Sequence, residues 1–165
     1  MKISTRGRYG LRAMLGLARH HADGPMLMES LAKQEGLSIK YLHALLTKLK
    51  AAGLVHSVRG AGGGFVLARA PAKIALNEIL HALEGSLSLV PCVADKRTCH
   101  RASHCTARGL WRELSEKIED TLAHVSLCDL LDSENRSELR PGTNKSGQRR
   151  GQGEHVKAIC PGFPI

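Results

Sequence analysis

Aromatic side chains are nearly missing from this chain: its 165 residues include one Trp, two Tyr and two Phe. A groove that binds single strands by stacking bases needs more such platforms, so the composition argues against that mode of nucleic-acid binding. Long apolar runs are missing as well. No stretch approaches the roughly 18 apolar residues that a membrane-spanning helix requires. The opening, "MKISTRGRYGLRAMLGLARHH", does not read as a secretory leader, because Arg12 and Arg19 break up its apolar positions. The expected setting is therefore cytoplasmic, with no membrane partner. No nucleophile–base pair, paired-carboxylate motif or nucleotide-binding loop stands out, and no internal repeat is visible. Neither an enzyme nor a small-molecule substrate is expected.

Acidic residues are scarce in one region only. Residues 1–69 carry eleven Lys/Arg against three Asp/Glu, residues 70–131 seven against eight, and residues 132–165 six against four. The formal charge of +9 is therefore concentrated in the first half. A basic half beside a nearly neutral middle suggests a polyanion partner for the basic half.

That half has a recognisable order of elements. "STRGRYGLRAMLGLARHH" predicts a helix capped by Ser4 or Thr5, with Leu11, Met14, Leu15 and Ala18 on a buried stripe. "ADGP" breaks the chain. A short helix then runs to about Glu35 and ends at Gly36. Ser38 caps a third helix, residues 39 to about 52, which Gly53 stops. Two short helices around "EGLS" form a helix-turn-helix pattern. Leu42, Leu45, Leu46 and Leu49 mark the core face of the third helix. Lys40, His43, Ala44 and Thr47 share another face that is polar or small and free to enter a groove. Next, "LVHSV" and "FVLA" flank the tip "RGAGGG", which predicts a β-hairpin wing with Arg59 and Gly60 at its end. The predicted fold is mainly α: a winged helix-turn-helix domain with a small hairpin wing, plus a long dimerisation helix. On this reading Arg59 enters a minor groove, and Lys48, Lys50 and Arg6 contact phosphates of double-stranded DNA.

The domain reading is 1–85 for the DNA-binding unit and 86–106 for a cysteine-rich loop. Residues 107–132 form the dimerisation helix with a short last helix, and 133–165 form a disordered tail. In the long helix, "ARGLWRELSEKIEDTLAHV", Leu110, Trp111, Leu114, Ile118, Leu122 and Val125 make one apolar stripe. A small head cannot bury that stripe alone, which favours pairing with a second copy over packing within one chain. In "SLCDLL", Ser126 caps the last helix with Asp129 three residues on. The tail is rich in Gly, Ser, Pro, Asn and Gln and lacks an apolar period. Cys160 lies in it and is given no role.

Three of the five cysteines fall in "VPCVADKRTCHRASHC". Six residues separate Cys92 from Cys99, and five separate Cys99 from Cys105. This is not the C-x-x-C pairing of common structural zinc sites. The spans are long enough to wrap a cluster held by thiolates. His104 and His100 are local candidates for a fourth ligand, and Lys96, Arg97 and Arg101 would offset thiolate charge. Spacing alone favours a metal or cluster site, and leaves a thiol switch or inert cysteines open.

Together, "GRYGLRAML", "GLSIKYLHALLTKLKAAGLVHSVRGAGGGF", the three cysteines and "GLWRELSEKI" resemble one family in order, from Met1 to about Leu131. It is the winged-helix transcription regulators that carry an iron–sulfur cluster, typified by the iron–sulfur cluster assembly regulator and its nitric-oxide-sensing and iron-sensing relatives. The resemblance implies a homodimer, third-helix and wing contacts with operator DNA, and a cluster bound by Cys92, Cys99 and Cys105, with 2Fe–2S favoured over 4Fe–4S. Ser38, Tyr41 and Arg59 match family positions that touch DNA. This chain also departs from the family. Position 43, acidic in the assembly regulator, is His43, so its occupancy-dependent choice of operator is not carried over. Arg108 stands where that regulator has its fourth ligand, and Arg8 stands where some relatives recruit an acidic one. The fourth ligand is therefore open among His104, His100, a more distant group and solvent. The expected function is a homodimeric regulator that senses iron–sulfur, redox or nitric-oxide status. The alternatives are the same fold sensing by thiol oxidation or zinc, and an iron–sulfur carrier or assembly partner that does not bind DNA.

Overall fold

The structure, a computed structural model, describes residues 3–60 and 62–138. In chain order it contains α1 (Thr5–Arg19), α2 (Met28–Glu35), α3 (Ile39–Ala51), β1 (Val55–Val58), β2 (Gly64–Leu67), α4 (Leu76–Glu84), α5 (Pro91–Ala94), α6 (Thr106–Ala123) and α7 (Leu127–Glu138). Short 3₁₀ turns occupy Pro71–Lys73 and Lys96–Thr98.

Local chemistry sets most of these boundaries. The Ser4 hydroxyl accepts from the Arg6 N–H at the start of α1, and the Ser38 hydroxyl accepts from the Tyr41 N–H at the start of α3. Each satisfies a backbone donor that the first helical turn leaves without a partner. Gly36 ends α2 in the left-handed region, at φ 64° and ψ 36°. Ser126 and Asp129 cap α7 reciprocally: the Asp129 carboxylate accepts from the Ser126 N–H at 2.8 Å and its hydroxyl at 2.6 Å. Those two bonds hold the Asp129 carboxyl below the usual carboxylate range.

Met14, Leu31, Leu42, Leu45, Leu46, Leu49, Ile74, Ile79, Leu83 and Leu127 fill the core, drawn from α1 to α4 and the start of α7. The wing is a two-stranded antiparallel ribbon pairing Val55 with Leu67 and Val58 with Gly64. It is not left free. Met26, just before α2, exchanges backbone hydrogen bonds with Phe65 at 3.0 and 2.8 Å. This close approach requires Gly64, where a Cβ would lie 2.3 Å from the Met26 carbonyl oxygen.

The helix-turn-helix, wing, long helix and capped last helix stand where the sequence places them. The cysteine segment is more ordered than the loop the sequence predicts, because Pro91 starts the short α5 and the Asp95 side chain caps the following 3₁₀ turn. Helix α7 also runs past residue 132 to Glu138, into the segment that composition assigns to a disordered tail. The rest of that tail, Cys160 included, lies outside the described residues.

Candidate nucleic-acid interface and cysteine loop

Helix α3 is fixed from behind by Leu42, Leu45, Leu46 and Leu49, all essentially buried. Its opposite side presents Lys40, His43, Ala44, Thr47, Lys48 and Lys50, all exposed, with Ser38 and Ile39 at the N-terminal end. Arg59 and Gly60 are exposed on the wing, and Arg6 is exposed on the first turn of α1. The basic and small residues named from the sequence therefore lie on the surface. Lys50 is tied down: its Nζ donates to the Ser57 hydroxyl at 2.6 Å and joins α3 to the wing.

Tyr41 behaves differently from its neighbours. Its hydroxyl is buried with no hydrogen-bond partner among the described residues. The ring meets Tyr9 edge to face at 6.1 Å, and the Arg12 guanidinium lies 5.4 Å from the Tyr9 ring centre. Tyr41 thus locks the N-terminal part of α1 beside the first turn of α3, a packing role that residue spacing did not reveal.

Glu35 was also invisible to patterning. It is 7 % exposed, with its carboxylate 3.1 Å from Arg12 and 3.8 Å from Arg19. Arg19 also grips Glu134 of α7 at 2.9 Å. A buried carboxylate is tolerable only with such partners. The network ties α1 to both α2 and α7.

The cysteine loop is held at defined points. Cys92 lies in α5, Cys99 follows the 3₁₀ turn, and Cys105 immediately precedes α6; all three are free thiols, the first two half-buried and the third exposed. His100 and His104 are exposed. Among the described residues no three His, Cys, Asp or Glu side chains stand together closely enough to hold a metal ion. The donor chemistry suits thiolate ligation, but this conformation does not assemble the ligand set. Arg108 explains part of the arrangement: its Nε donates to the Cys92 carbonyl at 2.8 Å. Ser115, the buried residue of α6, accepts from the Leu89 N–H at 3.1 Å and donates to the Trp111 carbonyl at 2.7 Å. Asp95 and Arg97 form a two-pronged pair within the loop, and that guanidinium holds the Asp95 carboxyl below its ordinary value.

The apolar stripe of α6 divides in two. Leu122 packs on the core, as does Val125 just beyond the helix. Leu110, Trp111 and Leu114 remain 53, 38 and 36 % exposed. No helix among the described residues is long and apolar enough to cross a membrane.

Comparison with known proteins agrees with this architecture. The family model Rrf2, described as an iron-dependent transcriptional regulator, matches residues 3–133. The chain is 33 % identical over 159 residues to the HTH-type transcriptional regulator IscR of Yersinia pseudotuberculosis, covering 96 % of each chain. It superposes on the solved structure of T. potens IscR with a TM-score of 0.70 and 37 % identity, covering 86 % of this chain and 94 % of that one. CymR, the global cysteine regulator of B. subtilis, gives a TM-score of 0.67 and 39 % identity, covering 81 % of this chain and 98 % of that one.

Proposed function

Because the chain belongs to the Rrf2 family of transcriptional regulators, we propose that it acts as a homodimer that grips operator DNA and is switched by its cysteine loop. The observation that carries the reading is the exposed basic face of α3 beside a wing pinned to the same head. Paired recognition helices would enter successive major grooves of a roughly palindromic site. Lys40, His43, Ala44 and Ser38 face the bases and nearby backbone. Lys48 and Arg6 supply salt-dependent phosphate contacts, and Arg59, with Gly60 beside it, reaches the minor groove. Leu110, Trp111 and Leu114 form the seam with the second copy.

The group expected in the loop is an iron–sulfur cluster, 2Fe–2S in preference to 4Fe–4S, with Cys92, Cys99 and Cys105 supplying thiolates. When bound, it would supply a redox-sensitive centre that reacts with oxidants or nitric oxide. His104 or His100 could complete the ligands, whereas Arg108 cannot, since a guanidinium keeps its proton. The thiols must move to converge, and Arg108 and Ser115 tie that movement to the dimer helix.

A second reading draws support from the free, unassembled thiols and from the likeness to a cysteine regulator. There, oxidation of the same thiols replaces the cluster as the signal. Full chain purified without oxygen separates the two. The cluster reading expects iron and sulfide in the protein, a visible chromophore, and loss of both in Cys92→Ala with altered DNA affinity. A colourless, iron-free protein whose DNA binding responds to peroxide would replace it with the thiol reading. If Cys92→Ala still carries a full cluster and binds DNA as before, the loop is not the sensor.

A further inference from the structure

We propose that Glu84 is a positioning residue for DNA binding: its carboxylate fixes the first turn of α1 so that Arg6 is presented to a phosphate beside the recognition helix. The proposal rests on the DNA-binding reading above. Glu84 is the last residue of α4, about eighty positions from Ser4 in sequence, yet one of its oxygens accepts three hydrogen bonds from that turn. They come from the Ser4 N–H at 3.1 Å, the Ser4 hydroxyl at 2.6 Å and the Gly7 N–H at 2.8 Å. The Ser4 hydroxyl gives its one proton to Glu84, and its lone pair then accepts the Arg6 N–H at 3.1 Å. The Arg8 N–H bonds the Ser4 carbonyl. The helix start that carries Arg6 and Arg8 is therefore held by a side chain from another element, beyond its own cap.

Two further observations show that the clasp is built into the fold. Gly7 leaves room for it, because a Cβ there would lie 2.4 Å from the same Glu84 oxygen. The turn is also set against the recognition helix by the Tyr9–Tyr41 contact. Burial pushes the Glu84 carboxyl up, but the bonds from Ser4 and Gly7, with the Arg6 charge, outweigh it and keep the group ionised at neutral pH. Directly after Glu84, Gly85 turns the chain at φ 83° toward the cysteine loop. The carboxylate therefore joins the phosphate-facing turn to the root of the segment proposed to sense.

The charge of Glu84 and its clasp act on DNA with opposite signs, which makes the role separable. A carboxylate near a phosphate repels it, so a residue acting only as a charge would tighten binding when removed. A positioning residue would weaken binding when its acceptor oxygen goes. The probe is a duplex of mixed sequence, about 30 base pairs long, to which affinity comes from phosphate contacts. For the full chain, Glu84→Ala is expected to bind 3- to 10-fold more weakly. Its log-affinity against log-salt slope should be shallower by about one, as for one lost phosphate contact. Glu84→Gln, which keeps an acceptor oxygen, should bind as tightly as wild type or tighter, with the slope unchanged. In an Arg6→Ala background, Glu84→Ala should cause no further loss. If Glu84→Ala does not fold, Ser4→Ala removes the hydroxyl between carboxylate and Arg6 and carries the same expectation. Wild-type affinity and slope in the alanine variant, or an equal loss with and without Arg6, would overturn the proposal. A wild-type chain that ignores DNA would fail the regulator reading first and the proposal with it.

Discussion

Tyr41 illustrates how one side chain divides between packing and recognition. It sits on the first turn of α3, and its neighbours Lys40 and His43 face solvent. Its hydroxyl nevertheless points inward and is unpaired among the described residues. Leaving a buried hydroxyl without a partner costs about 1–3 kcal/mol. Tyr41→Phe is therefore expected to raise stability by on the order of 1 kcal/mol, about 2–4 °C in melting temperature for a chain of this size. DNA affinity should stay within about twofold. A lower melting temperature would expose a missed partner, and a large loss of affinity would show that the hydroxyl swings out to the duplex.

At the scale of elements, the cysteine loop is anchored to α6 by side-chain bonds to its backbone. Ser115→Ala removes the acceptor of the Leu89 N–H in a half-buried place. The expected cost is about 1–2 kcal/mol, and trypsin should cut faster at Lys96, Arg97 and Arg101 while the head resists. Equal cutting rates would mean that the loop is held elsewhere. These anchors carry no local signature in the sequence. Caps and stripes are local and periodic, so α1 with Ser4, α3 with Ser38, the hairpin and the Ser126–Asp129 box were all legible. The Glu84–Ser4, Arg108–Cys92 and Ser115–Leu89 bonds join residues far apart in the chain. No periodicity signals such a bond, and one sequence alone does not say which distant partners meet. For the candidate site, residue types and exposure were readable. The turning in of Tyr41 and the separation of the thiols were not, because both depend on tertiary packing.

For the whole molecule, the dimer is the proposal that links loop to DNA. Leu122 and Val125, at the C-terminal end of the long-helix stripe, are satisfied within the chain, while Leu110, Trp111 and Leu114 stay open. A glutamate at position 114 would place a charge in the proposed seam. Leu114→Glu is expected to sediment as a monomer that keeps its helical content and binds a two-half-site duplex at least tenfold more weakly. A variant that remains dimeric would move the interface to another surface.

Sequence-specific reading of DNA by this basic winged head is the step on which wing, loop and dimer converge. It is tested most directly by selecting genomic fragments with the full chain and titrating the best one against a scrambled duplex of equal length at physiological salt. The scrambled duplex should bind about a thousandfold or more weakly, the range of specific over non-specific binding. Equal affinity for the two duplexes would contradict it.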